Sequence, residues 1–166
     1  MKPAGRWLAR LLILLVAVVA GCASPTRVHE PANAANGPWS GRLALQVEDD
    51  PSQSFSAGFE LSGNAQAGEL ALFTPLGGTL ALLAWSPGSA TLRSNGQTRG
   101  SDSVDTLVNQ ATGTAIPVAV LFDWLQGFDS AAAGWQADLS QLAQGRLRAK
   151  RMQPPPAVDL RVVLDQ

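Results

Sequence analysis

Trp39-Ser40-Gly41-Arg42-Leu43-Ala44-Leu45-Gln46-Val47 is the stretch on which the reading of the fold turns. In an extended chain Leu43, Leu45 and Val47 fall on one side and Arg42, Ala44 and Gln46 on the other, the two-residue period of a strand buried on one face. The pattern repeats downstream. Ser54 to Leu61 carries Phe55, Ala57, Phe59 and Leu61 in alternation, Ser62-Gly63-Asn64 supplies a turn, and Gly68 to Phe73 follows. Strands joined by turns this short predict an antiparallel meander. Thr79 to Ser86 (TLALLAWS) is apolar on both faces, so its second face is expected to be covered by something apolar. A short strand around Thr91-Leu92-Arg93 then runs into Asn95-Gly96, a strong hairpin signal.

Beyond the hairpin the period changes. Val104, Leu107, Val108 and Ala111 recur at i, i+3, i+4, i+7, which predicts a short amphipathic helix with Ser101 or Ser103 at its start and Gly113 at its end. Pro117 is placed to open a second helix, in which Val118, Leu121, Phe122 and Leu125 share a face before Gly127 stops it. Strand-like segments return at Trp135 to Leu139, Arg146 to Met152 and Val158 to Leu164. The fold class expected is therefore mainly β with a few helices. With 166 residues, there is room for one domain with a real core and hardly for two.

The N-terminus carries an address. Lys2, Arg6 and Arg10 precede the apolar run Leu11 to Ala20, followed by Gly21-Cys22. A positive segment, an apolar segment too short to cross a bilayer and small residues before the break make residues 1–21 a secretory signal. Val19-Ala20-Gly21-Cys22 matches the lipobox of bacterial lipoprotein precursors, which implies cleavage after Gly21 and acylation of Cys22. Cys22 is the only cysteine, so no intramolecular disulfide competes for it, and several acyl chains on one residue make a permanent tether where one chain does not. Ala23 follows; in the sorting rule of many Gram-negative bacteria, a residue other than Asp there implies export to the outer membrane. Residues 22–38 then read as the lipidated cysteine and a flexible tether, and 39–166 as the folded domain.

The chemistry available is narrow. His29, the only histidine, falls in the tether, so the domain lacks the residues for a Ser-His-Asp or Cys-His centre or an ordinary zinc site. Glu48-Asp49-Asp50 precedes Pro51-Ser52 between two strands and reads as a solvated turn rather than a metal or acid/base site. No phosphate-binding loop or nucleophile elbow is present. No enzyme activity, metal or cofactor is expected. Without the signal, nine Lys and Arg stand against thirteen Asp and Glu, a net charge of −4 that argues against nucleic acid as a partner. Arg146, Arg148 and Lys150 alternate and suggest a solvated strand edge protected by charge, or a basic face for a carrier or anionic headgroups.

Phe73-Thr74-Pro75-Leu76-Gly77-Gly78-Thr79, then Gly113 to Gly127 with Ile116-Pro117, Leu121 and Trp124-Leu125, then Gly134-Trp135 occur in that order behind the lipobox. This succession resembles the LolB family of outer-membrane lipoprotein receptors, over roughly Trp39 to the C-terminus. The resemblance implies a half-open antiparallel β-barrel with an apolar concave face and a helical lid. It implies a monomer that accepts lipoproteins from a LolA-like periplasmic carrier and inserts them into the outer membrane by acyl-chain handover, without nucleotide hydrolysis. Its partners would be that carrier with its cargo, the acyl chains, and outer-membrane lipid. The exposed loop residue of the family maps to Leu76, flanked by Pro75 and Gly77, as a membrane contact. Candidates for the acyl-chain cavity are Phe59, Trp85, Leu121, Phe122, Trp124 and Leu125. The last third is abbreviated beside the family, which points to a smaller or more open cavity. A lipid-binding or outer-membrane assembly lipoprotein with the same fold is the alternative.

Overall fold

The computed structural model describes residues 37–165 apart from Gly113; the signal, Cys22, Ala23, His29 and the proposed end of the first helix at Gly113 lie outside the described residues. Nine strands form one sheet: β1 (Trp39–Val47), β2 (Phe55–Gly63), β3 (Gly68–Phe73), β4 (Thr79–Ser86), β5 (Ser89–Ser94), β6 (Gln97–Ser101), β7 (Trp135–Asp138), β8 (Arg146–Arg151) and β9 (Val158–Leu164). Their order is β6-β5-β4-β3-β2-β1-β9-β8-β7, with every neighbouring pair antiparallel. Two helices, α1 (Val104–Thr112) and α2 (Val118–Leu125), stand between β6 and β7 in the chain. The described residues all belong to one compact unit.

The alternation read from the sequence sets the register. Leu45 faces Phe55 on one side and Leu160 on the other, and Leu43 faces Ala57 and Val162. Leu61 faces Leu70, which in turn faces Leu83, and Leu83 faces Leu92. Because successive side chains alternate across the sheet, each of these rows lies on one face. The helices pack on that face, and Leu45, Phe59, Leu61, Leu83, Leu107, Phe122 and Leu160 are buried in one continuous core. Asn95 and Gly96 both have positive φ, 51° and 73°, as the tight turn joining β5 to β6 requires.

Two expectations are corrected. Among the described residues the outer face of β4 has no apolar cover: Ala81, Leu83 and Trp85 are buried on the helix side, whereas Leu82 and Ala84 on the other face are half-buried. Leu82 lies across from Ala71 and Arg93, so sheet neighbours provide its partial shelter. The basic stretch is no sheet edge either, since β8 lies between β9 and β7. Its Arg148 crosses to Asp159 on β9, which also takes a hydrogen bond from Arg161. Partial burial acts to raise the Asp159 pKa, and the two guanidinium hydrogen bonds outweigh it, leaving the carboxyl below its ordinary value.

The helix starts are tied to each other. Asp105 in the first turn of α1 accepts a hydrogen bond from the Val118 backbone N–H at the start of α2, at 3.1 Å. Pro117 occupies the capping position itself and offers no side-chain cap. Asp105 therefore does for α2 what a capping residue ordinarily does from within its own helix. Asp105→Ala should lower the unfolding free energy by about 1 kcal/mol, measured by urea titration, whereas an unchanged midpoint would mean that water replaces the carboxylate without loss.

Candidate functional site

Between the sheet and the helices lies an apolar cavity of about 70 Å³. Phe59, Leu61, Leu70 and Leu83 line it from the sheet, and Val108, Ile116, Val118, Leu121 and Leu125 from the helices and the turn between them. Thr112 is the only side chain in its lining that carries a polar group. A void with such walls stays dry. Its volume is well below the roughly 300–1,000 Å³ of ordinary ligand pockets.

Of the six residues expected at an acyl-chain cavity, Phe59, Leu121 and Leu125 line this space. Trp85, Phe122 and Trp124 are buried but do not line it. Phe122 meets Trp39 edge-on at 5.6 Å between ring centroids and Trp85 at 6.1 Å. Trp124 packs on Trp135 at 6.2 Å, and its indole N–H donates to the Ser130 carbonyl at 3.0 Å. Trp85 likewise donates to the Asn64 carbonyl at 3.0 Å. These aromatic contacts hold α2 against the sheet, leaving Val118, Leu121 and Leu125 to cover the apolar space. Leu61 is only 1% exposed and forms part of the cavity wall.

The loop between β3 and β4 is built to present one side chain. The Gly77 N–H donates to the Thr74 carbonyl at 2.9 Å, the Thr74 N–H to the Gly78 carbonyl at 2.8 Å, and the Gly78 N–H to Thr74 Oγ1 at 2.9 Å. Pro75 takes the second position of this turn, where its fixed φ suits the backbone. Gly77 follows with φ 83°. Leu76 is held at the tip, 98% exposed.

Strand direction fixes where this tip sits. Trp39 at the start of β1 pairs with Leu61, and Gly68 at the start of β3 with Gly63, so β1 and β3 run the same way and the 74–78 loop lies at the end of the sheet opposite Gly37. The Glu48-Asp49-Asp50 turn shares the loop's end, since Leu45 and Phe55 pair beside it. There Asp50 accepts hydrogen bonds from Ser52 and Gln53, and the Ser52 hydroxyl foremost holds its carboxyl below the ordinary value.

The core thus leaves an apolar space beneath two helices, and the loop between β3 and β4 displays Leu76. The family model described as "Outer membrane lipoprotein LolB" matches residues 38–154. This chain belongs to the LolB family. It is 35% identical to the outer-membrane lipoprotein LolB of Bordetella pertussis, over 97% of this chain and 94% of that protein. It is 33% identical to LolB of Bordetella petrii, over 92% and 89%, and 34% identical to LolB of Cupriavidus metallidurans, over 82% and 70%. The mainly β, open-sheet architecture is that of a LolB protein. No helix among the described residues is long and apolar enough to cross a membrane.

Sequence reasoning missed Asp105, whose partner lies thirteen residues away with no local spacing to advertise it. Phe55 and Leu72, also in the cavity wall, carried a legible signal as inward positions of their strands.

Proposed function

We propose that this LolB-family chain accepts acylated lipoproteins from a LolA-like periplasmic carrier and sets them into the outer membrane, without nucleotide hydrolysis. The observation that supports this best is the pairing of an almost wholly apolar space under a helical lid with a fully displayed leucine. Burying one acyl chain is worth on the order of 10 kcal/mol at ~0.8 kcal/mol per CH₂, so an acylated protein does not cross water unaided. Passing its chains between two apolar cavities exchanges like for like, and a small difference in affinity sets the direction. Since the cavity holds only about 70 Å³, loading requires the helices to part from the sheet. Acyl chains then replace the contacts that Val118, Leu121 and Leu125 make with it.

Cys22 is the lipid anchor in this reading, Ala23 the sorting residue, and Pro75-Leu76-Gly77 the membrane-contact loop. The domain faces the periplasm and acts as a monomer. The two membrane contacts lie at opposite ends of the domain, because the chain enters at Gly37 and Leu76 caps the far end. Both still reach one bilayer. The nine residues of β1 span about 30 Å, and the segment from Cys22 to Gly37 reaches at most about 50 Å when fully extended.

Cys22→Ser tests the anchor separately from the handover. The variant is expected in the soluble periplasmic fraction, still able to take cargo from the loaded carrier. Retention in the outer membrane would refute the anchor assignment, and loss of uptake would show that anchor and cavity do not act separately.

A further inference from the structure

We infer that the open groove beside the lid is a polar collar for the ester and amide carbonyls of an acylated cysteine whose chains occupy the apolar cavity, with Arg99 as its main donor. This rests on the handover reading and assigns that reading a second subsite. The groove has a volume of about 390 Å³ and shares Phe55, Leu72 and Thr112 with the apolar cavity. Those side chains are the wall common to both, so chains leaving the cavity past them emerge in the groove. Its floor continues the apolar surface through Leu80 and Leu92, while its rim is Asn95, Gln97, Arg99 and Gln110.

The register places the polar groups on the cavity side of the sheet. Arg99 lies across from Leu92, and Gln97 from Ser94, which itself faces Ala81. Arg99 is exposed, and the ion pairs among the described residues, Arg148 and Arg161 with Asp159, leave it out. No carboxylate side chain lines the groove. A guanidinium offers five N–H donors and no acceptor, and Asn and Gln side chains add NH₂ donors.

An acylated cysteine presents the complementary chemistry. Its ester and amide groups carry carbonyl acceptors at the point where the hydrocarbon ends, and an acceptor brought against an apolar wall without a donor is costly. Hydrocarbon in the cavity therefore sets those carbonyls at the rim, where Arg99 and its amide neighbours satisfy them. A fatty-acid carboxylate presents acceptor oxygens to the same donors, and the test separates the two.

Binding is compared for the chain from Ala23 onward, which keeps the whole compact unit, as wild type, Arg99→Met and Arg99→Lys. The probes are a synthetic triacylated cysteinyl peptide, palmitate, and the neutral apolar dye N-phenyl-1-naphthylamine. Arg99→Met should weaken the lipopeptide about tenfold, the scale of a lost charge-assisted hydrogen bond. Dye binding should be unchanged, and Arg99→Lys should recover part of the loss. An equal loss for dye and lipopeptide would make Arg99 a structural residue, and no loss for either would remove it from the site; both overturn the inference. A loss confined to palmitate would overturn the carbonyl assignment in favour of a carboxylate. Wild type that binds the dye but not the lipopeptide would overturn the handover reading as well, whereas lipopeptide binding indifferent to Arg99→Met would overturn the collar alone.

Discussion

Leu76→Glu is expected to leave cargo uptake intact and to slow delivery into liposomes by roughly ten- to a hundredfold, the factor that corresponds to losing the 1.5–3 kcal/mol gained by burying one leucine. The fold should not notice. Leu76 is 98% exposed, and the hydrogen bonds that shape its loop run between the backbone and Thr74. Surface substitutions of this kind usually stay within about 0.5 kcal/mol of wild type in stability. The expected effect therefore falls on the membrane step alone, read as cargo appearing in sedimented liposomes after it has left the carrier. Delivery at the wild-type rate would mean that the leucine touches no bilayer. A defect already present in uptake would place Leu76 at the carrier interface.

Trp124→Ala should cost about 3–5 kcal/mol of stability, as large-to-small changes of buried aromatics do. Against the 5–15 kcal/mol of a typical domain, that is enough to unfold much of the protein at physiological temperature. Trp124 is 1% exposed, packs on Trp135 and gives its indole proton to Ser130, so the substitution leaves both a hole and an unpaired carbonyl. The urea midpoint decides between two roles for this residue. A cavity-lining tryptophan would be removed with little change in stability and a large change in acyl binding. A tryptophan that fixes the lid helix shows the reverse, and a midpoint within about 1 kcal/mol of wild type, small beside usual core losses, would contradict the packing described here.

The strands were legible because alternation in Trp39–Val47 and Phe55–Leu61 reports directly which side chains share a face, and the helices because Val104, Leu107 and Val108 change that period. Pro75-Leu76-Gly77-Gly78 was legible as a turn from its composition. Which inward residues line a void was not. Period assigns a side chain to a face but does not name its neighbour, and Trp85, Phe122 and Leu121 all face inward. Only the seating of α2 separates them, with Phe122 between Trp39 and Trp85 and Leu121 over the space. The same limit applies to β8. Its alternating Arg146, Arg148 and Lys150 look like a charged edge until β9 returns to pair with β1 and carries β8 into the interior of the sheet. That pairing joins residues more than a hundred positions apart, and no local pattern announces it.

The most direct test of the account mixes the chain from Ala23 onward with a LolA-like carrier loaded with a lipoprotein, without ATP, and recovers each protein by affinity pull-down. Cargo found on this chain and depleted from the carrier is the predicted result. Cargo that stays with the carrier, while this chain is demonstrably folded, would contradict handover and leave a LolB-family lipoprotein whose cavity serves another lipid.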